Sequence, residues 1–116
     1  MRYRSSTTTE PIGFVYIMSN RSRSTLYIGV TRNLRVRVEE HKKELNPKSF
    51  TSQYNCVYLV YYEFYEFLSA AIAREKQIKK WKRAWKDELI LKQNPNLRDL
   101  YFDLERGELG SDDLYF

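Results

Sequence analysis

Two β-prone runs near the start of the chain constrain its fold more than any other feature. Gly13 to Met18 and Leu26 to Val30 flank a polar stretch, Ser19 to Thr25. That spacing predicts an antiparallel hairpin with an extended loop. Side chains alternate between faces along a strand. Phe14, Tyr16 and Met18 therefore share one face of the first strand. In the second, Leu26, Ile28 and Val30 share one face, and Tyr27 and Gly29 share the other.

Asn33 is an N-cap candidate for a helix reaching about Leu45, with Leu34, Val38, His41 and Leu45 on one stripe. Asn46-Pro47 ends it, and residues 46–55 read as a polar loop anchored by Phe50 and Tyr54. Cys56 to Phe64 is a third strand, aromatic enough to belong to the core. Leu68 to about Gln93 reads as helix with a break near Trp81. Leu68, Ala71, Ile72 and Ile78 form its apolar stripe, and Trp85 and Leu89 continue it. Asn94-Pro95 stops that helix, and Leu97 to Phe102 adds one more turn. The order is β-β-α-β-α-α, an α/β (α+β) domain with a three-stranded antiparallel sheet flanked by helices. Residues 1–11 read as a flexible lead-in, 12–102 as the domain and 103–116 as an acidic tail.

Length and composition exclude several classes. The 116 residues are one domain's worth, enough to bury roughly two-thirds of the unfolded surface. No apolar run approaches the ~20 residues of a membrane-spanning helix, and Met1 to Glu10 lacks the apolar core of a secretory signal. Cys56 is the lone cysteine, so an internal disulfide is impossible, and His41 alone cannot complete a Cys/His zinc site. A cytoplasmic protein is expected. The formal charge is +5, but the two terminal segments hold three bases and six acids. Residues 12–102 keep 17 bases against 9 acids, a charge of +8. Such a field favours a polyanionic partner, most commonly nucleic acid; a merely soluble basic surface is the alternative.

Four groups of residues carry possible chemistry. Glu75 falls on the apolar stripe of its helix, where a carboxylate needs a partner: a divalent metal or a structural salt bridge. Arg37 and His41 lie four residues apart on one helix face. A lone His on an apolar stripe is most often a hydrogen-bonded core residue, but the neighbouring guanidinium is a natural phosphate ligand. Tyr16 and Tyr27 would point to one face if the hairpin pairs them, although ten tyrosines make packing the ordinary reading. Arg74, Lys76, Lys79, Lys80, Lys82, Arg83 and Lys86 surround Trp81 and Trp85. Interleaved bases and aromatics suit nucleic acid, and equally suit a solvated face over two core tryptophans.

The ordered set Phe14-Val15-Tyr16, Tyr27-Ile28-Gly29, Arg37, His41 and Glu75 resembles the GIY-YIG nuclease superfamily, especially its small single-domain members. Tyr27-Ile28-Gly29-Val30-Thr31, Asn33-Leu34, Glu40-His41, Arg74-Glu75-Lys76-Gln77-Ile78-Lys79-Lys80-Trp81, and Asn94-Pro95 with Asp99-Leu100 extend it over residues 12–102. The resemblance implies divalent-metal-dependent hydrolysis of nucleic-acid phosphodiesters, DNA in particular, with one Mg²⁺ or Mn²⁺, and the small size of the chain points to structure-selective or weakly sequence-specific cleavage. Glu75 would hold the metal and Arg37 would stabilise the transition state. Tyr16 would position or deprotonate water, assisted by Tyr27 or His41. Gly29 would allow a close approach of backbone or substrate. Arg35 joins Arg74, Lys76, Lys79, Lys80, Lys82 and Arg83 as nucleic-acid contacts. Phe14 replaces the first Gly of the motif name, Val30 stands where several members carry Lys, and Asn94 and Asn96 are candidates for a late Asn near the site.

Two rival readings fit the same residues. One is a non-catalytic nucleic-acid binder on the same fold. The other is a protein-interaction module around Phe64, Tyr65 and Phe67. The acidic tail could also fold over the basic face and inhibit it.

Overall fold

A computed structural model describes residues 10–44 and 46–105 of the chain. Three strands, β1 (Gly13–Ser19), β2 (Leu26–Thr31) and β3 (Tyr58–Tyr65), form one antiparallel sheet in the order β2-β1-β3. The helices are α1 (Leu34–Lys42), α2 (Phe50–Gln53), α3 (Leu68–Lys79), α4 (Arg83–Gln93) and α5 (Tyr101–Glu105). The fold is thus the expected three-stranded antiparallel sheet between helices. None of the described helices is long and apolar enough to cross a membrane.

Every residue of β1 is buried, because the central strand is paired on both edges and covered on both faces. Its alternation sorts two cores. Phe14, Tyr16 and Met18 pack with Leu34 and Val38 of α1 and with Leu100 and Leu104. Val15 and Ile17 pack with Ile28, Val60, Ala71 and Ile78 of α3, and Ile90 of α4. The two faces assigned to the first hairpin are the two faces observed.

Asn33 caps α1, its side chain accepting from the Val36 backbone N–H at 3.2 Å. The helix ends at Lys42, earlier than expected, because Glu44 turns into the left-handed region at φ 51°. The loop expected at residues 46–55 contains the short helix α2, capped by Ser49. The expected break near Trp81 occurs across residues 80–82, and it resets the helical phase. Ile90 faces the core of α4, whereas Trp85 is half exposed and does not continue the stripe of α3.

Contacts to the fold reach both ends of the described residues. The Pro11 carbonyl accepts the Leu68 backbone N–H at 2.7 Å, and the Glu10 carboxylate accepts that of Ser69, which ties residues 10–11 to the start of α3. At the other end α5 runs to Glu105, with Leu104 buried in the core. The expected tail beyond Glu105, the lead-in before Glu10 and the stripe residue Leu45 lie outside the described residues. The Asn-Pro close is a clamp on β3. Asn94 donates to Val60 O and Arg98 O at 3.1 and 2.8 Å, while Asp99 accepts the Leu59 N–H and the Lys42 ammonium. Asn94 is thereby buried and spent on backbone groups; Asn96 is exposed.

Candidate active site

Strand register sets the centre of the site. Tyr16 lies opposite Gly29, not Tyr27, and Tyr27 lies opposite Met18. The tyrosines are therefore diagonal neighbours on one face, with ring centroids 6.2 Å apart. A Cβ on Gly29 would stand 2.6 Å from the Tyr16 hydroxyl oxygen, so the bare glycine admits the phenol.

Helix α1 brings His41 over the same face. Its Nε2 is 2.9 Å from the Tyr16 hydroxyl, and its ring centroid is 5.5 Å from that of Tyr27. Its Nδ1 is 2.9 Å from Thr51 Oγ1, which α2 supplies. Tyr16 is 0% exposed, Thr51 3% and His41 6%. Burial raises the Tyr16 phenol far above its ordinary value, with the Tyr27 phenol adding to the rise and Arg37 opposing it. The same burial, with Arg37 adding its charge, pushes His41 down to about 4, so its imidazole is neutral at pH 7.

Arg37 sits one turn before His41 and is held by Glu40 at 2.9 Å, with nearly half of its side chain exposed. The Glu40 hydrogen bond leads in holding the guanidinium charged, against partial burial and with help from Tyr16. A pocket of about 90 Å³ opens beside it, lined by Arg37, Glu40, His41, Asn46, Ser49 and Ser52 among others. Arg37, His41, Tyr16 and Tyr27 are thus brought together.

Glu75 arrives from the other layer. Its helix α3 packs on the sheet face that carries Val15 and Ile17. Its side chain is 12% exposed, and Lys79 pairs with it at 2.8 Å. Among the described residues no hydrogen bond, ion pair or ring contact joins Glu75 to the tyrosine and histidine cluster. Nor do three or more His, Cys, Asp or Glu gather into a metal cage among them. A single enclosed carboxylate does fit Mg²⁺ or Mn²⁺, hard ions that keep several waters and bind through one or two carboxylates plus substrate phosphate.

The predicted nucleic-acid contacts divide. Lys76, Lys80 and Lys82 are exposed on or just past α3. Lys79 is engaged by the largely buried Glu75, and Arg35 by Glu39 at the surface. Arg74 is built into the fold: it chelates Glu63 and lies 5.2 Å over the Trp81 ring. Arg83 pairs with Asp87 and donates to the carbonyls of Arg23 and Ser24, pinning the hairpin loop.

Residues 12–88 match the family described as the GIY-YIG catalytic domain. The chain belongs to the GIY-YIG family. It is similar to a UPF0213 protein of Syntrophus aciditrophicus (strain SB), 43% identical over 82 residues that cover 71% of this chain and 92% of the relative. It is also similar to a UPF0213 protein of Staphylococcus aureus (strain Mu3 / ATCC 700698), 40% identical over 77 residues, 66% of this chain and 92% of the relative. No solved structure matches significantly. The GIY-YIG match ends before the Asn94 clamp, which acts in this chain as part of the fold. Tyr16, to which the family resemblance gives the task of positioning or deprotonating water, is fully buried with its hydroxyl against His41. Tyr27, its neighbour on the same sheet face, is partly exposed. Thr51 and Ser49 are hidden in the sequence because a Ser/Thr-rich segment reads as loop. The usable signal was Ser49 as an N-cap two residues after Pro47.

Proposed function

We propose that this protein is a divalent-metal-dependent endonuclease that hydrolyses phosphodiester bonds in DNA, with structural or weak sequence selectivity. GIY-YIG membership makes it a protein of the nuclease superfamily. The observation that carries the finer reading is the cluster itself: an exposed guanidinium beside two phenols and a neutral imidazole. Arg37 contacts the scissile phosphate and offsets charge gained in the transition state, a role worth ~10²–10³ in rate at comparable sites. Tyr27 is the phenol that can orient an incoming water. Tyr16 and His41 form the enclosed support behind it. Glu75 would hold a Mg²⁺ or Mn²⁺ ion, which when bound supplies Lewis-acid polarisation of the phosphate and stabilises the leaving oxygen. Lys79, now paired with Glu75, would yield that carboxylate to the ion. Lys76, Lys80 and Lys82 offer phosphate contacts along the backbone. The described domain offers little surface for reading a long site.

The test is cleavage of single-stranded, duplex, flapped and branched DNA, and of RNA, with Mg²⁺ or Mn²⁺. Glu75→Ala and Arg37→Ala are purified in parallel to expose contaminating nuclease. Cleavage by the parent alone supports the reading. Salt-sensitive binding without cleavage by any form favours the non-catalytic binder.

A further inference from the structure

Helix α2 contributes to the site through Thr51. We propose that Thr51 is a positioning residue that locks His41 in the tautomer protonated on Nδ1, so that Nε2 accepts the Tyr16 hydroxyl proton and the Tyr16 oxygen faces Arg37 and Tyr27 as an acceptor.

The direction follows from counting protons. Tyr16 is fully buried, and an enclosed hydroxyl must donate to something or lose a hydrogen bond of real worth. Its neighbours are His41, Arg37 and Tyr27. Arg37 has only donors, so it cannot take the phenolic proton. Between the remaining two, an imidazole nitrogen at 2.9 Å is a far stronger base than a phenol oxygen. Tyr16 therefore donates to Nε2. The imidazole is neutral and carries one N–H, which must then be on Nδ1, 2.9 Å from Thr51 Oγ1.

The line continues past Thr51. Thr51 accepts from Nδ1, so its own proton goes to Ser49 Oγ at 3.2 Å, and that oxygen also accepts the Ser52 backbone N–H at 3.2 Å. Thr51 is itself fixed: its carbonyl accepts the Cys56 N–H at 2.8 Å. The line thus runs in one direction, Tyr16 to His41 to Thr51, and ends on Ser49 as acceptor. The groups facing His41 come from four elements: Tyr16 of β1, Tyr27 of β2, Arg37 and Glu40 of α1, and Thr51 of α2.

His41 is the only histidine, so its imidazole nitrogens can be observed without ambiguity. Long-range ¹H–¹⁵N spectra of uniformly labelled full-length protein at pH 7 should show a protonated Nδ1 and a bare Nε2. Thr51→Val keeps the shape but removes the acceptor, and should yield a mixed or inverted tautomer. Thr51→Ser should restore the parent pattern, and serves if the valine variant folds poorly. A proton on Nε2 in the parent, or an unchanged spectrum in folded Thr51→Val, overturns the assignment. The effect on rate presupposes the nuclease reading; the tautomer does not. Thr51→Val should lower kcat about 10–100-fold with little change in KM, the scale seen when a metal-bound His loses its supporting hydrogen bond, and Thr51→Ser should recover most of it. Equal kcat in parent and Thr51→Val would refute the catalytic consequence. Absence of cleavage in the parent would refute the nuclease reading and leave the tautomer to be decided by the spectra.

Discussion

Gly29 and Tyr16 face each other across β1 and β2, and a Cβ on the glycine would sit 2.6 Å from the phenolic oxygen. The glycine of one motif thus makes room for the tyrosine of the other. The adjoining hydrogen bond from Tyr16 to His41 depends on that room. Gly29→Ala must push the ring aside or open the strand pair. We expect a loss of about 1–3 kcal/mol in stability from overpacking, read by urea denaturation, and a changed His41 spectrum. An alanine variant with parent stability and an unchanged imidazole would refute the packing argument.

His41 should titrate near 4 in the folded protein, against about 6.5 in an unfolded chain. Its pKa is lowered, so the unfolded state takes up the proton first as pH falls. The neutral, buried histidine therefore supports folding fully above about pH 6.5. That support is lost progressively between about 6.5 and 4, by at most about 3 kcal/mol. An NMR titration of this single residue checks it, and a midpoint near 6.5 would contradict the enclosed site.

Arg74 and the exposed lysines should separate stability from nucleic-acid affinity. Burial pushes the Glu63 carboxyl up, but hydrogen bonds from Arg74, Tyr61 and Tyr65 outweigh it and hold it below its ordinary value. Arg74→Ala strands that partly buried carboxylate and should cost about 1–3 kcal/mol. Lys76→Gln and Lys80→Gln should leave stability nearly unchanged. Each should instead reduce the salt dependence of DNA binding by about one unit of slope if it contacts a phosphate. Salt-titrated anisotropy beside urea denaturation distinguishes the two classes.

Lys79 competes with any cation at Glu75, since it pairs with that carboxylate at 2.8 Å. Lys79→Gln should tighten Mn²⁺ binding by about 3–10-fold, the scale of an exposed ion pair of ~1 kcal/mol. Electron paramagnetic resonance of free Mn²⁺ measures it. Weaker or unchanged affinity would argue against Glu75 as the ion's ligand.

The hairpin, its two faces and the helix cap at Asn33 were legible because they follow from local periodicity and capping chemistry. The family resemblance rested on residues whose spacing survives in one sequence. What was not legible is instructive. The burial of Tyr16 is not legible, because exposure is a tertiary property and α1 and α2 close over it. Arg74 and Arg83 look like the lysines beside them in sequence. Only the fold shows that Glu63, distant by 11 residues, claims Arg74, and that carbonyls of the hairpin loop claim Arg83. Trp85 was placed on a core stripe by continuing a helical phase through residues 80–82, where the chain breaks helix and starts the count again. Thr51 escaped notice because a four-residue helix has no periodicity to detect.

The most direct test of the central claim compares the parent with Glu75→Gln at equal DNA affinity. Both are titrated onto the same branched and duplex substrates at fixed salt, and cleavage is followed with Mg²⁺ and then with EDTA. The account predicts similar binding, metal-dependent cleavage by the parent and a loss of at least about 10² in rate for Glu75→Gln. Cleavage that persists in Glu75→Gln, or in EDTA, would contradict it.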